Sequence, residues 1–88
     1  MKVRLLDLDR GGEVEVDIGP EASLLELVER LRSAGALGAR EAAVVGVSAD
    51  GKTVAYVPAA NVAQLVAYAG QVRAALAFKR FPIHGFKG

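Results

Sequence analysis

The fold is indicated most clearly by the stretch Glu13-Val14-Glu15-Val16-Asp17-Ile18, followed shortly by Ser23-Leu24-Leu25-Glu26-Leu27. The first part alternates acidic and apolar side chains, a period of two that is typical of a strand with one buried and one wet face. The second part has a serine three positions before a glutamate, the pattern of a capping box at a helix start. Residues 13–27 therefore predict a strand that leads within a few residues into a helix.

The flanking residues extend this plan in both directions. Residues 2–8 are strand-like, and Gly11-Gly12 before residue 13 predicts a tight turn, so the chain should open with a hairpin. Gly35 is a candidate C-cap for the helix. Residues 41–48 predict a strand covered on both faces, Asp50-Gly51 a second turn, and residues 53–57 a fourth strand that ends before Pro58.

Residues 59–78 predict one long second helix, because apolar side chains recur there at helical spacing. In the alternative, Gly70 breaks that helix and residues 72–78 form a fifth strand. The favoured order ββαββα predicts an α+β domain over residues 1–80, with a four-stranded, antiparallel-rich sheet and two helices packed on one face. Residues 81–88 are then expected to be an extended basic and aromatic tail.

Small side chains line one flank of this expected helix. Such a flank allows close approach of another backbone, either within the chain or between two copies. A short chain of 88 residues buries a limited part of its surface, which favours self-association. The expected oligomer interface consists of Ala63, Ala67, Gly70, Ala74 and Ala77, with Arg73 either snorkelling past the core edge or pairing with an acid of another subunit.

The composition excludes several classes of protein. Hydrophobic residues make up 52% and charged residues 24%, which is unlike a disordered chain. The sequence has no cysteine and one histidine, so it offers neither a disulfide framework nor a thiol or histidine-pair metal site. The acidic residues of the first hairpin are better explained as a solvated face than as cation ligands. We therefore expect no catalytic residue, no cofactor and no metal.

Charge is distributed unevenly along the chain. All ten acidic residues lie within residues 1–50, whereas the charged residues of 51–88 are all basic. All three phenylalanines fall in the last eleven residues, interleaved with these bases. The expected partner-binding residues are Phe78, Lys79, Arg80, Phe81, His84, Phe86 and Lys87. Such a segment suits a hydrophobic groove on a protein, a nucleic acid or a membrane surface, or its phenylalanines cap the chain's own core.

Residues 2–34 resemble the opening of the β-grasp, ubiquitin-like proteins, particularly the bacterial sulfur carriers. The shared outline is Lys2-Val3-Arg4-Leu5-Leu6, a turn, the alternating strand at 13–18, and Ala22-Ser23-Leu24-Leu25-Glu26-Leu27 opening a helix. The resemblance implies a β-grasp fold as the alternative architecture. It also implies a carrier that acts through its C-terminal glycine, here Gly88, although Lys87 stands where those carriers have a second glycine.

The sequence thus predicts a non-enzymatic interaction module that self-associates and contacts a protein partner through its C-terminal segment. The alternatives are a nucleic-acid-binding protein that uses the same segment, and a β-grasp carrier. The uncharged stretch 53–72 is interrupted by Pro58, Asn61 and two glutamines, so no transmembrane helix is expected. The lack of cysteine and of a leader-like N-terminus leads us to expect a cytoplasmic location.

Overall fold

A computed structural model describes residues 1–83 as an α+β domain with a mixed five-stranded sheet and two helices. The elements follow the order β1 (Lys2–Asp7), β2 (Glu13–Asp17), α1 (Leu24–Ser33), β3 (Glu41–Ser48), β4 (Ala55–Tyr56), α2 (Val62–Val72) and β5 (Ala75–Pro82). The strand order in the sheet is β2-β1-β5-β3-β4, and β1 pairs with β5 in parallel. The α+β class and the two helices confirm the coarse prediction.

The N-terminal hairpin forms as its sequence predicts. Gly11 and Gly12 both have positive φ, 81° and 79°, a conformation that glycine adopts without a steric penalty. The register places Val3 opposite Val16, so both buried side chains enter the core from the same face of the sheet. The alternating acids of β2 consequently point to the other face.

Helix α1 begins at its predicted cap. The Ser23 hydroxyl accepts a hydrogen bond from the Glu26 backbone N–H at 3.1 Å, while Leu27 and Leu31 are fully buried. Leu65 of α2 belongs to the same core cluster as these leucines, together with Phe78 of β5. Both helices therefore pack over one face of the sheet.

The second helix is shorter than predicted, and the four-stranded sheet is corrected to five strands. Helix α2 ends at Val72, because Arg73 adopts a left-handed conformation with φ of 55° and its N–H closes the last turn. The chain then enters β5 instead of continuing as a helix to residue 78. β5 gains hydrogen bonds from both β1 and β3 and buries Phe78 completely, which outweighs the helical spacing of its sequence.

The strand β5 extends beyond residue 80, where the domain was predicted to end. The strand runs to Pro82, and the Ile83 N–H donates to the Arg40 carbonyl, so the first residues of the expected tail belong to the sheet. The rest of the expected tail, residues 84–88, lies outside the described residues. Over residues 1–83, neither helix is long and apolar enough to cross a membrane.

Candidate interaction surface

The predicted partner-binding residues are divided between the two faces of the sheet. Phe78 and Arg80 point into the helix-covered side and are buried, with exposures of 0% and 9%. Lys79 and Phe81 point to the opposite side and are exposed. Successive side chains of a strand point to opposite faces of the sheet, so the separation follows from the strand conformation of β5. The prediction of a helix followed by a tail did not include this alternation. The expected contact residues Phe78 and Arg80 are therefore corrected to core residues.

Arg80 connects three parts of the chain. Its Nη2 lies 2.6 Å from Asp7 Oδ2, and its Nη1 lies 2.9 Å from Asp7 Oδ1, a two-pronged ion pair. Nη2 and Nε also donate to the carbonyl of Ala36, at 2.9 and 3.2 Å. The Arg80 backbone N–H donates to Asp9 Oδ2 at 2.7 Å, and the guanidinium carbon lies 5.2 Å from the centre of the Phe78 ring. These contacts assign Arg80 a structural role.

The ion pair shifts the protonation of both partners toward the charged form. Burial by itself would raise the pKa of Asp7, but the hydrogen bond from Arg80 and the backbone N–H groups of Arg10 and Asp9 outweigh it and lower that pKa. The hydrogen bond to Asp7 raises the pKa of Arg80, against the opposing effect of burial. The carboxylate and the guanidinium therefore both stay charged inside the domain.

The face of the sheet opposite the helices has a regular distribution of charge, and we call it the open face. The register aligns four kinds of side chain from edge to edge. Carboxylates lie on β2, bases on β1, a base and an aromatic ring on β5, small or apolar residues on β3, and an aromatic ring on β4. The members are Glu13, Glu15 and Asp17; Lys2, Arg4, Lys79 and Phe81; Ala42 and Val44; and Tyr56.

Several of these open-face residues were missed by the sequence reasoning. Lys2 and Arg4 alternate with the buried Val3 and Leu5, so the period of two in β1 was the signal that places them outward. Tyr56, which is 70% exposed, gave no such signal, because its strand is only two residues long.

The expected oligomer interface does not form one continuous flank. Ala63, Ala67 and Gly70 are exposed on α2. Ala77, by contrast, is fully buried in β5, and Ala74 lies in the connection before that strand, half-buried. The helix ends before both, so these two residues are removed from the expected interface. Of the small residues predicted to form the oligomer interface, only the three on α2 remain candidates.

Arg73 does not occupy the position expected of it. It is exposed at the left-handed end of α2 instead of lying inside a longer helix. A side chain there cannot snorkel along a helical core edge, and its backbone conformation is its clearest structural contribution.

Metal-binding side chains are not brought together in the part of the chain that the structure describes. Over residues 1–83, no group of three or more histidine, cysteine, aspartate or glutamate side chains is arranged to hold a metal ion. His84, Phe86 and Lys87 of the predicted contact segment lie outside those residues. Comparison with protein-family models, with curated proteins and with solved structures gave no match.

Proposed function

We propose that this protein is a non-enzymatic interaction module that binds a protein partner on its open face, with Lys79 and Phe81 at the centre. The observation that carries the proposal is the alternation of β5, which exposes these two residues while it buries Phe78 and Arg80. Aromatic rings are enriched at protein contact surfaces, and a neighbouring base such as Lys79 can orient a charged partner. The ion pair between Arg80 and Asp7 holds the strand that presents them.

The distribution of charge on the open face favours a protein over a nucleic acid. Glu13, Glu15 and Asp17 point to the same side as Lys79, and Arg4 already lies 3.6 Å from the Glu15 carboxylate. A phosphate backbone that crossed the sheet would meet these three carboxylates. A protein surface can instead present a base to β2 and an acid to β5.

This arrangement also defines the expected partner chemistry. Phe81 is 46% exposed and lies directly opposite Ala42 in the register, so the middle of the face offers an apolar contact. Lys79 lies two residues before Phe81 on the same face, opposite Val44. The complementary surface therefore has an apolar centre with a carboxylate beside it, the type of contact that gives both affinity and orientation.

For the architecture, we propose the β-grasp fold. The N-terminal hairpin, the helix that crosses the sheet and the parallel pairing of the first and last strands support it. The parallel pairing of the first and last strands is the observation that favours the carrier as a second candidate function, although a fold by itself does not establish an activity. The test is mass spectrometry of Gly88 after incubation with an activating enzyme and ATP. An unmodified mass would count against a carrier.

Affinity purification with paired variants tests the proposed function. The full-length chain, Phe81→Ser, Lys79→Glu and the control Val72→Ser would be compared as baits in a lysate of the source cell. We expect at least one protein to be lost with both open-face variants and retained by the control. That protein would then be purified and its contact mapped by NMR on the ¹⁵N-labelled chain, with shifts expected at Lys79 and Phe81.

Two results would overturn this proposal. One is that every captured protein is retained by both open-face variants. The other is that the chain binds oligonucleotides with an affinity that falls steeply with salt, which would favour the nucleic-acid alternative. Self-association through Ala63, Ala67 and Gly70, and the cytoplasmic location, stay predictions; light scattering at high micromolar concentration tests the first.

A further inference from the structure

One edge of the sheet is only partly covered. β3 has eight residues, whereas its outer neighbour β4 has two, which lie opposite Gly46 and Val47. Among residues 1–83, no strand therefore lies beyond the first half of β3 on that side. An uncovered strand edge presents backbone N–H and C=O groups that another extended chain can bind.

The direction of the backbone groups at this edge follows from β5. The Arg80 N–H donates to Asp9 and the Phe78 carbonyl accepts from the Leu8 N–H, so both residues direct their backbone groups away from β3. Their partners in the antiparallel ladder, Ala43 and Val45, must then direct theirs away from β5. Ala43 thus aims both its N–H and its C=O at the uncovered side.

Among residues 1–83, the structure shows no loop or turn hydrogen bond to these two groups of Ala43, and the register of β4 reaches only Gly46 and Val47. The backbone groups of Glu41, the next residue whose N–H and C=O point away from β5, do have partners. Its N–H donates to the Gly38 carbonyl at 3.2 Å, and its own carbonyl accepts from Arg32 Nη1 at 3.0 Å. The free edge therefore ends at Glu41 on this side and includes Ala43.

An apolar groove lies along the same edge. Leu24, Leu25 and Val28 of α1 form one wall, Tyr56 lies at the other side, and the β3 backbone around Ala43 lies between them. The groove has a volume of about 330 Å³. Leu25 and Tyr56 are each 70% exposed, and together with Leu24 and Val28 they make the lining of this groove largely apolar.

We infer that this groove binds a short extended segment of another protein, which adds to the β3 edge as a strand. Its backbone pairs with the N–H and C=O of Ala43, and an apolar side chain enters the space between Leu25 and Tyr56. The two features are independent of each other: the free backbone groups require an extended chain, and the groove requires an apolar side chain.

A second copy of this chain fits the edge less well. If two β3 strands paired antiparallel about Ala43, residue 41 of the second copy would lie opposite Val45. Continuing the register of β4 by one residue puts the buried Val57 at that position. A peptide of a few residues avoids this clash, because it can leave the edge before reaching Val57.

The binding site at the β3 edge shares Val44 and Tyr56 with the open face, but it includes the side of α1 and neither Lys79 nor Phe81, so it goes beyond the proposed function. The probe is the blocked peptide acetyl-Lys-Thr-Val-Leu-Val-Lys-amide, titrated to millimolar concentration into the ¹⁵N-labelled full-length chain. The matched control is the same peptide with N-methyl groups along its central residues, which cannot pair as a strand.

We expect the Ala43 amide proton to move downfield and to exchange more slowly with solvent when the peptide binds. Binding should weaken about tenfold with the N-methylated peptide, the loss expected for one or two backbone hydrogen bonds. Leu25→Glu should weaken binding similarly without affecting the fold, since that side chain is exposed, whereas Val72→Ser should leave binding unchanged.

Three outcomes would overturn the inference: an Ala43 amide that stays unmoved, equal binding of the two peptides, or shifts confined to Lys79 and Phe81. The last outcome would still be compatible with the proposed function. Conversely, loss of binding with Leu25→Glu but not with Phe81→Ser would support the groove even if the open face has no partner.

Discussion

Arg80 Nη2 lies 2.6 Å from Asp7 Oδ2, and both side chains are 7% exposed, although 73 positions separate them in the chain. The pair lies between the end of β1 and the last strand, and its remaining donors are directed to Ala36 and Asp9. Every buried side-chain polar atom in residues 1–83 has a hydrogen-bond partner. The pair thus joins both ends of the domain without leaving an unsatisfied group.

Removing one member of this pair should be costly. We expect Asp7→Ala to lower the free energy of unfolding by about 3–5 kcal/mol, because Arg80 would remain buried without its counter-charge. Asp17→Asn is the matched control, since that carboxylate is largely exposed, and it should change stability by only about 0.5 kcal/mol. Urea denaturation followed by circular dichroism measures both. Equal effects of the two variants would contradict a structural role for the pair.

Replacing both members should be milder than removing one. The double variant Asp7→Leu with Arg80→Met leaves no buried charge unpaired, so we expect it to be more stable than either single variant. The same denaturation experiment gives the coupling energy between the two positions. A double variant as unstable as the sum of the single ones would show that the two side chains act independently.

The two neighbouring phenylalanines of β5 should respond very differently to truncation. Phe78→Ala empties a fully buried site and should cost about 3–5 kcal/mol. Phe81→Ala removes a ring that is 46% exposed on the open face and should cost about 0.5 kcal/mol. Thermal unfolding of the two variants compares them directly. A large loss with Phe81→Ala would mean that this ring belongs to the core rather than to a contact surface.

Two glycines provide opposite predictions. A Cβ at Gly46 would lie 2.0 Å from the Ala55 carbonyl oxygen, so Gly46→Ala should separate β3 from β4 and cost about 3 kcal/mol. Gly70 lies inside α2 with nothing within 4 Å of its Cβ position, so Gly70→Ala should stabilise the chain by about 0.5–1 kcal/mol. Chemical denaturation of both variants, with hydrogen exchange of the β4 amides for Gly46→Ala, checks these signs. A stabilising Gly46→Ala would contradict the close strand pairing.

The hydrogen bonds to Asp50 in the turn between β3 and β4 should persist in mildly acidic solution. The N–H groups of Thr53 and Lys52 donate to Asp50 Oδ1 at 2.9 and 2.8 Å and lower the pKa of this carboxyl from 3.8 to about 2. Because the pKa is lower in the folded chain, the stabilisation is complete above the unfolded value and is lost as the pH falls through about 2. A ¹³C NMR titration of the Asp50 carboxyl measures the midpoint. A midpoint near 4, or an unchanged acid limb of stability in Asp50→Asn, would contradict these hydrogen bonds.

Local patterns were sufficient for most of the first half of the fold. The alternation at 13–18, the glycine pair and the Ser23 cap each involve residues within a few positions of one another, and the structure has the hairpin and the helix start that they predict. Propensity, turn chemistry and capping act over such short distances, so one stretch of sequence contains all the information that they need. The N-cap of α2, in which Asn61 Oδ1 accepts from the Gln64 N–H, was overlooked because the helix was expected to begin at about residue 59.

The secondary structure of residues 73–82 depended instead on strands that are distant in the sequence. Their apolar spacing suits a helix, but β1 and β3 supply hydrogen-bonding edges on both sides, and the core receives Phe78. That choice of strand over helix decided which residues of the predicted contact segment are buried and which lie on the open face. Composition and periodicity could identify a segment rich in bases and phenylalanines, yet the pairing of Asp7 with Arg80 across 73 positions required the folded sheet. Side-chain direction in a strand depends on register with its neighbours, and register is a property of the assembled sheet.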